Sequence, residues 1–590
     1  MKQFFKFMFA SMAGFILVFI IFFFIMMAIA VSLSSFSRKE IVIVPKNTVL
    51  QLKLNEVIPD RSSNNPFETI NFFSLKVSNP PGLNEILKNI KKAETDENIK
   101  GIYLDLSSVP SGIATVEEIR NALLDFKKTG KFIISYGETY TQKAYYLASV
   151  ADSIYLNPEG IVEFKGLDGE VMFYKGLFEK MNVDIQIIRH GKFKSAVEPF
   201  ILDKMSDANK EQTLKYLSSI WNHLLDGISD SRKISRDDLN MIADSFKVQK
   251  AADAVTHKLA DRLVYKDELL AALRTKLGIG EKDKISLMTI NKYANAPDKS
   301  KKITKSKDKI AIIYAIGQIE SGKGNDKTIG SERISEAIRK ARLDSTVKAI
   351  VLRVNSPGGS ALASEVIWRE VALAKKVKPV VASMGDVAAS GGYYISCAAT
   401  KIVADPSTIT GSIGVFGLVP NLKGLFNEKL GITFDNVKTN NYADFGTVTR
   451  ALTESEKAVY LSDVENIYQT FIKHVADGRN MSTDQVDSIG QGRVWCGVDA
   501  KDIGLIDEFG GLEKAIELAA KLAKIGEYKI QSLPEQKDPF TQILEGLSGG
   551  ANDALLKKEL GDVYEYYQYI RNVKNMKGVQ ARLPYFINIY

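Results

Sequence analysis

A long apolar run opens the chain. Residues 7–31 contain no charged side chain, and a helix of about 20 apolar residues is enough to cross the hydrocarbon core of a bilayer. The pattern therefore predicts a transmembrane anchor, which we place at residues 7–33. A cleaved secretory signal is the alternative, because Ala28, Ile29 and Ala30 form an A-x-A pattern. The run is longer than the apolar region of an ordinary signal, which favours an uncleaved anchor.

The charges beside the apolar run suggest an orientation. Lys2 and Lys6 precede it, and Arg38 and Lys39 follow it. We expect the stub of residues 1–6 to stay in the cytoplasm and the bulk of the chain to lie across the membrane, although flanking charges of this kind decide orientation weakly.

Beyond the anchor, short β-branched runs alternate with helix-like stretches. "KAIVLRV" (348–354) has the composition of a buried strand and ends at the turn signal "NSPGG". Apolar residues then recur at near-helical spacing through "SALASEVIWREVALAKK" (360–376), and Pro379 opens a further apolar run. Alternation of strands and helices predicts a layered α/β domain with a parallel sheet.

The α/β pattern occurs twice. "IKGIYLDLSSVPSG" (99–112) parallels "VKAIVLRVNSPGG" (347–359), and the displacement of 248 residues is kept at later positions. A fixed displacement of this kind indicates a tandem duplication. The boundaries that we predict are a first repeat at 46–275, a linker at 276–308, a second repeat at 309–530 and a C-terminal tail at 531–590.

Composition adds two constraints. The net charge of +8 includes the mixed-sign run "PDKSKKITKSKDK" (297–309), which we interpret as a solvated linker and not as a nucleic-acid site. The sequence contains only Cys397 and Cys496. A disulfide framework is therefore excluded, while a single bridge and two buried free thiols both remain possible.

One serine stands where a nucleophile would be expected. In "GDVAASGGYYISCAA" (385–399), Ser390 lies between a strand-like and a helix-like stretch. A serine nucleophile needs a base, which is usually histidine. The sequence gives the four histidines no nearby catalytic motif, and we expect His474 and His223 to be structural residues of amphipathic helices. The four are His190, His223, His257 and His474.

Lysine is the other possible base, provided that burial lowers its pKa from about 10.4 by roughly 3 units. Lys194 is the candidate, in the stretch "IIRHGKFKSAVEPF" (187–200). At a displacement of 248 residues, Ser390 corresponds to Gln142. With one extra residue in the second copy, Lys194 corresponds to about Ala443. Each repeat thus holds half of a site.

Four motifs together resemble a known family. "VNSPGGSALASEV", "DVAASGGYYIS", "TGSIGVFG" and "KFKSAVEPF" are similar to those of the signal peptide peptidase A family in its long, tandem form, a group of membrane-anchored bacterial serine proteases. The resemblance runs to about residue 530, and the tail adds little to it.

The resemblance implies specific roles. Ser390 would be the nucleophile and Lys194 the general base of a Ser/Lys dyad, and Ser412 would orient the lysine amine. The oxyanion hole would use the backbone N–H of Gly391 together with that of Gly358 or Gly359. The implied fold is a duplicated domain of the ClpP and crotonase type.

The implied function is degradation of cleaved signal peptides and similar hydrophobic peptides. It would take place on the periplasmic side of the inner membrane, in a homotetramer held by a single-pass anchor, without cofactor or metal. Two alternatives use the same fold, a non-catalytic membrane scaffold and an acyl-thioester enzyme that lacks a serine nucleophile.

Overall fold

The computed structural model describes residues 2–37, 42–64, 70–71, 76–77, 80–298, 305–536 and 579–583. Its first element is the helix Lys2–Ser37. Within that helix, the stretch Gln3–Phe24 has a mean hydropathy of 2.6 and is not buried against the rest of the protein. By length and composition, this helix is able to cross a membrane.

The first repeat is built on a parallel sheet. The strands of this half are β1 Thr48–Leu52, β2 Ile70–Asn71, β3 Lys76–Val77, β4 Ile99–Asp105, β5 Phe132–Tyr140, β6 Ser153–Val162, β7 Asp184–Arg189, β8 Arg262–Leu263 and β9 Ser286–Thr289. Within the sheet they run in the order β8-β6-β5-β4-β1-β9, and every pair in it is parallel. β2 and β3 form a separate antiparallel pair, and β7 joins another sheet.

Helices connect and cover these strands. They are Leu83–Thr95, Ile113–Lys127, Gln142–Ala148, Lys175–Lys180, Glu198–Ile201, Asp207–Arg232, Arg236–Asp244, Ala251–Thr256, Lys266–Leu277 and Ile290–Ala294, with a 3₁₀ turn at Ser195–Val197. Strand β9 and the helix Ile290–Ala294 lie in the range that we expected to be linker. Instead, β9 extends the first sheet beside β1.

The second repeat repeats this plan. The strands of this half are β10 Lys309–Ile316, β11 Gln318–Glu320, β12 Thr328–Gly330, β13 Val347–Ser356, β14 Gly358–Ser360, β15 Val380–Ala389, β16 Lys401–Ala404, β17 Ile409–Gly411, β18 Phe416–Asn421, β19 Val494–Cys496, β20 Glu508–Phe509, β21 Lys529–Leu533 and β22 Gln580–Arg582. The main path of the sheet is β19-β17-β15-β13-β10-β21, with β16 beside β15 and β20 beside β16. Among these described strands, the β17–β19 pair is antiparallel and the other pairs of this sheet are parallel.

The helices of the second repeat pack against both faces of its sheet. They are Ser331–Leu343, Ala361–Lys375, Gly391–Ser396, Glu454–Arg479, Thr483–Ile489, Gly497–Asp502 and Leu512–Ala523, and a π-helical turn covers Leu425–Lys429. β13 shows why this sheet is covered on both sides, since Ile350 and Leu352 pack into one core cluster and Ala349 and Val351 into another. A parallel strand that is buried on both faces is expected to consist of a continuous apolar run of this kind.

A third sheet joins the two repeats. Its strand order is β12-β11-β14-β22-β18-β7, so β7 of the first repeat pairs antiparallel with β18 of the second. A buried ion cluster makes a further connection. Arg353 is fully buried, and its guanidinium donates to Asp60 at 2.6 Å and to Glu118 at 2.7 Å. These contacts hold the second repeat against the first.

The predicted fold class is confirmed. Two copies of a layered α/β domain follow one N-terminal apolar helix. The copies share a sheet and a buried polar contact, and this arrangement brings the end of β15 in the second copy close to the loop after β7 in the first.

Candidate active site

Ser390 lies at a strained turn. It follows β15, directly precedes the helix Gly391–Ser396, and has φ 54° and ψ −113°. Its backbone N–H donates to Gly411 O at 2.8 Å, which fixes the turn against β17. A positive φ is unfavourable for a residue with a Cβ, and residues held in that way cluster at functional sites. The turn places the Ser390 side chain in the buried space between the two repeats.

Lys194 reaches Ser390 from the first repeat. It lies between β7 and the turn Ser195–Val197, and its side chain is fully buried. Its Nζ atom lies 2.9 Å from Ser390 Oγ, 3.0 Å from Ser412 Oγ and 3.3 Å from Ser412 O. The structure therefore brings together the three side chains for which the sequence suggested roles.

The electrostatics of Lys194 suit a base. Burial removes the ammonium from water and lowers the pKa of Lys194 well below its usual 10.5. A neutral amine at 2.9 Å from a hydroxyl is able to accept its proton. This geometry allows the Lys194 amine to act as a general base towards the Ser390 hydroxyl without a histidine.

Two glycines make room for the stem of Lys194. Gly492 has φ +83°, and a Cβ atom there would lie 2.6 Å from Lys194 Cβ. A Cβ atom at Gly414 would lie 3.4 Å from Lys194 Cδ and 2.8 Å from Gly492 Cα. The segment of the second repeat that contains Gly492 is thus packed directly on the lysine, and a side chain at 492 would displace it.

Gln212 fixes the lysine loop to the second repeat. It lies on the helix Asp207–Arg232, and its Nε2 donates to Phe193 O at 3.2 Å and to Ser195 Oγ at 2.9 Å. Its Oε1 accepts from Val494 N at 3.1 Å. One buried amide therefore contacts both chain neighbours of Lys194, the Phe193 carbonyl and the Ser195 hydroxyl, and also strand β19. No sequence pattern singles out Gln212, because only the tertiary contact distinguishes it from other helical glutamines.

Ser412 continues the chain directly after β17. Its φ is 49°, and its backbone N–H donates to Arg493 O at 2.7 Å. This contact fixes the position from which both its hydroxyl and its carbonyl oxygen face Lys194 Nζ.

The backbone of Gly358 lies close to the N–H of Gly391, the residue after Ser390. Gly391 begins the short helix after the serine, and a Cβ atom at Gly358 would lie 2.7 Å from Gly391 N. The N–H of Gly358 donates to Ser356 Oγ at 3.1 Å. Gly359 is therefore the better candidate of the pair for the second donor of an oxyanion hole.

Three of the histidines have carboxylate partners of their own. His474 Nε2 lies 3.0 Å from Glu365 and the ring stacks on Trp368. His190 Nδ1 lies 2.7 Å from Glu465, and His223 lies 3.5 Å from Glu117. None of these contacts involves Ser390.

The two cysteines are free and buried. Burial raises the pKa of Cys397 and that of Cys496 to about 12. Both thiols therefore remain protonated at physiological pH, so they are poor nucleophiles.

Comparisons with known proteins agree with the duplicated organisation. The sequence profile of peptidase family S49 matches residues 125–280 and again residues 372–526. Protease 4 of Salmonella typhi is 38% identical over 481 residues, which cover 80% of this chain and 77% of that protein. A chloroplastic serine protease of Arabidopsis thaliana, named SPPA, is 36% identical over 513 residues, which cover 86% of this chain and 74% of that protein.

Solved structures add a distant likeness. A ClpP1 mutant from Listeria monocytogenes aligns with 35% of this chain and 94% of its own, at 15% identity and a TM-score of 0.24.

Proposed function

The chain belongs to peptidase family S49 and is a serine peptidase, and from that premise we propose that Ser390 is its nucleophile and Lys194 its general base. The observation that carries this proposal is the 2.9 Å distance between Lys194 Nζ and Ser390 Oγ, with both residues fully buried. A nucleophile and its base must lie within hydrogen-bond reach. Burial shifts the pKa of Lys194 in the direction that a base at physiological pH requires.

In the first step, the neutral amine of Lys194 accepts the proton of Ser390 as Oγ attacks the substrate carbonyl carbon. Negative charge develops on the carbonyl oxygen, for which Gly391 and Gly359 are the proposed donors. Backbone N–H groups cannot turn away from that charge, and the loss of one such donor typically costs about 3–4 kcal/mol. The Lys194 ammonium then gives its proton to the leaving amine, and an acyl ester remains on Ser390.

In the second step, water replaces the amine. Lys194, neutral again, takes a proton from the water as it attacks the ester, and returns it to Ser390 Oγ when the acid product leaves. Ser412 Oγ, at 3.0 Å from Nζ, keeps the amine aimed at Ser390 through both steps. Ser412 acts by orienting the Lys194 amine, because Ser412 does not itself attack or bind the substrate.

Substrate is proposed to bind as an extended strand between β14 and β18. Edge strands bind peptides through main-chain hydrogen bonds, and neighbouring pockets select the side chains. Phe416 and Leu418 of β18 are buried apolar residues in this region. Hydrophobic peptides, including cleaved signal peptides, are the proposed substrate class, which rests on the family resemblance.

The N-terminal helix supports a location in a membrane. We propose that it anchors the enzyme in the inner membrane as an uncleaved single-pass helix, with both repeats on the periplasmic side. The bacterial relatives named Protease 4 are consistent with this location. A homotetramer is part of the same proposal and rests on the family resemblance alone.

A peptidase assay on detergent-solubilised full-length protein tests the dyad. An apolar peptide flanked by a fluorophore and a quencher should be cleaved by wild type and not by Ser390→Ala. Ser396→Ala is the matched control, because Ser396 is equally buried and bonds only within its own helix, to Gly392 O. Activity of the control should stay within about twofold of wild type.

Labelling separates a peptidase from an acyl-thioester enzyme of similar fold. An acylating inhibitor should attach to Ser390 in wild type, and tryptic mass spectrometry should find the label on that residue. Undiminished peptide cleavage by Ser390→Ala, or label on another residue, contradicts the assignment of the nucleophile.

A further inference from the structure

An arginine of the second repeat reaches across to the first repeat beside the candidate active site. Arg493 lies between the helix Thr483–Ile489 and β19, directly after Gly492. Its Nη2 atom lies 3.0 Å from Glu211 Oε1 of the first repeat. The side chain of Glu211 is 52% exposed, however, and an ion pair that water reaches so readily contributes little by itself. Other contacts must therefore account for the position of the guanidinium.

Two aromatic rings enclose the Arg493 guanidinium. Its Cζ atom lies 4.6 Å from the ring centre of Phe193 and 4.6 Å from that of Trp495. A guanidinium is planar and cationic, so it stacks on aromatic faces at such distances. Phe193 belongs to the first repeat and directly precedes Lys194, whereas Trp495 belongs to β19 of the second. The cation thus joins the loop that contains Lys194 to a strand of the other repeat.

The backbone of Arg493 contacts a second part of the site. Arg493 O accepts from Ser412 N at 2.7 Å, and Ser412 Oγ lies 3.0 Å from Lys194 Nζ. Trp495 packs closely beside the same turn, since a Cβ atom at Gly411 would lie 2.7 Å from Trp495 Cδ1. Arg493 therefore contacts the chain neighbour of Lys194 through its side chain, and the residue that orients the amine through its carbonyl group.

The equivalent position of the first repeat holds an exposed lysine. Arg493 precedes the helix Gly497–Asp502 by four residues, and Lys247 precedes the helix Ala251–Thr256 by the same number. The Lys247 side chain is exposed. The enclosed cation thus occurs in the repeat that faces Lys194, and the duplicated fold does not require it.

We propose that Arg493 is a positioning residue for Ser390 and Lys194, an inference that rests on the proposed function of those two residues. Stacking on Phe193 holds the loop that contains Lys194 against the second repeat, and the bond from Ser412 N holds the orienting hydroxyl in register with it. Arginine stays charged over the whole pH range in which a lysine titrates, so these contacts persist whether the base is protonated or neutral.

The variant Arg493→Met removes the cation and the stacked plane. In detergent-solubilised full-length protein, we expect kcat for the fluorophore–quencher peptide to fall about tenfold to a hundredfold with KM within about twofold, because small displacements of a catalytic group are costly. The midpoint of the kcat/KM profile should also move up toward 10.5, since water reaches Lys194 and a nearby positive charge is lost. Lys247→Met is the matched control and should keep the wild-type kcat and midpoint.

Chemical rescue separates positioning from loss of the fold. Arg493→Ala leaves a space between the rings of Phe193 and Trp495 that a free guanidinium ion can enter. Guanidinium at millimolar concentration, far below denaturing levels, should raise kcat of this variant at least about tenfold and return the pH midpoint toward that of wild type. Urea has a similar planar shape without the charge and should not restore activity. Neither compound should change wild type.

The outcomes distinguish this inference from the proposed function. If Arg493→Met keeps the wild-type kcat and pH midpoint while Lys194→Met is inactive, the role of Arg493 is refuted and the dyad stands. Loss of activity in Arg493→Met with an unchanged midpoint, and without rescue of Arg493→Ala by guanidinium, would show that the residue supports only the fold, and the inference falls. Full activity of Lys194→Met refutes both proposals.

Discussion

The two repeats build the same turn in different ways. In the second repeat, Ser390 precedes its helix with φ 54°, whereas its counterpart Gln142 is the first residue of a helix whose preceding residue, Thr141, has φ −65°. Gln142 Oε1 accepts from the N–H groups of Lys165 and Gly166. The first repeat thus fills the position with a satisfied amide and avoids the strain. The difference shows that the strained turn occurs in the copy that holds the proposed nucleophile and that the fold itself does not require it.

The glycine turn differs in the same way. Gly358 and Gly359 correspond to Pro110 and Ser111 in the first repeat. Proline has no N–H to donate, and Ser111 Oγ accepts from Ile58 N at 2.9 Å. The first repeat therefore lacks both the serine and the glycine pair of the second repeat.

The loops that contain Lys194 and its counterpart Ala443 differ in the opposite sense, because here the first repeat holds the functional candidate. Lys194 is fully buried, while Ala443, its approximate counterpart, lies on an exposed stretch of the second repeat. In the proposed site, one copy supplies the buried base and the other supplies the serine and its backbone donors. The following experiments test this division, beginning with the largest expected effect.

Replacing Ser390 of the second repeat by glutamine, the residue at the equivalent position of the first, should abolish activity. Ser390→Gln should lower kcat for peptide hydrolysis by about ten-thousandfold or more, because no nucleophile remains. The converse change, Gln142→Ser, should leave hydrolysis within about twofold of wild type, since no buried lysine faces that position. Substantial hydrolysis by Ser390→Gln would show that the repeats do not divide the work in this way.

The base should impose a pH dependence. Lys194 acts only when neutral, and burial lowers its pKa, so kcat/KM should rise with pH through a midpoint well below 10.5. Lys194→Met should lose about a hundredfold to ten-thousandfold of the activity. A midpoint at or above the ordinary lysine value would contradict the assignment of the base.

The same shift predicts an effect on stability. Between the lowered folded-state pKa of Lys194 and its ordinary 10.5, the unfolded chain binds more protons than the folded chain. The free energy of unfolding should therefore rise with pH across that interval. Lys194→Met should lack this rise, and its thermal midpoint should exceed that of wild type most clearly at the low-pH end.

Removal of the orienting hydroxyl should have a smaller effect. Ser412→Ala deletes the 3.0 Å contact with Lys194 Nζ but leaves the carbonyl of residue 412 at 3.3 Å. We expect kcat to fall about tenfold to a hundredfold with KM little changed. A loss as complete as that of Ser390→Ala would mean that Ser412 takes part in the chemistry and does not only orient the amine.

Loosening the lysine loop should have the smallest effect. Gln212→Leu keeps the volume but removes the contacts to Phe193, Ser195 and Val494, so we expect about a tenfold loss in kcat. As water gains access to Lys194, the midpoint of the pH profile should move upward toward 10.5. Gln249→Leu is the control on an exposed glutamine. An unchanged midpoint in Gln212→Leu would mean that Gln212 has no part in positioning the base.

Local patterns in the sequence were sufficient for some features. The apolar run predicted the first helix, and the constant displacement of 248 residues predicted the duplication, because both depend only on nearby residue types and their order. Complementary losses at Gln142 and Ala443 singled out Ser390 and Lys194 as candidates. The roles of Gly492 and Gln212 could not be predicted, since each acts through a contact with residues distant in sequence.

The tail shows this limit most clearly. "VQARL" (579–583) has no periodicity that would assign it to a sheet, and it becomes a strand because β14 and β18 present free edges on both sides of it. The sequence by itself determined the N-terminal apolar helix, the two α/β repeats and the residue types available for chemistry. Only the tertiary structure decided that Lys194 is dehydrated, that it lies 2.9 Å from Ser390, and that Ala581 faces Gly391. Burial and distance depend on how separate segments pack, which no local pattern encodes.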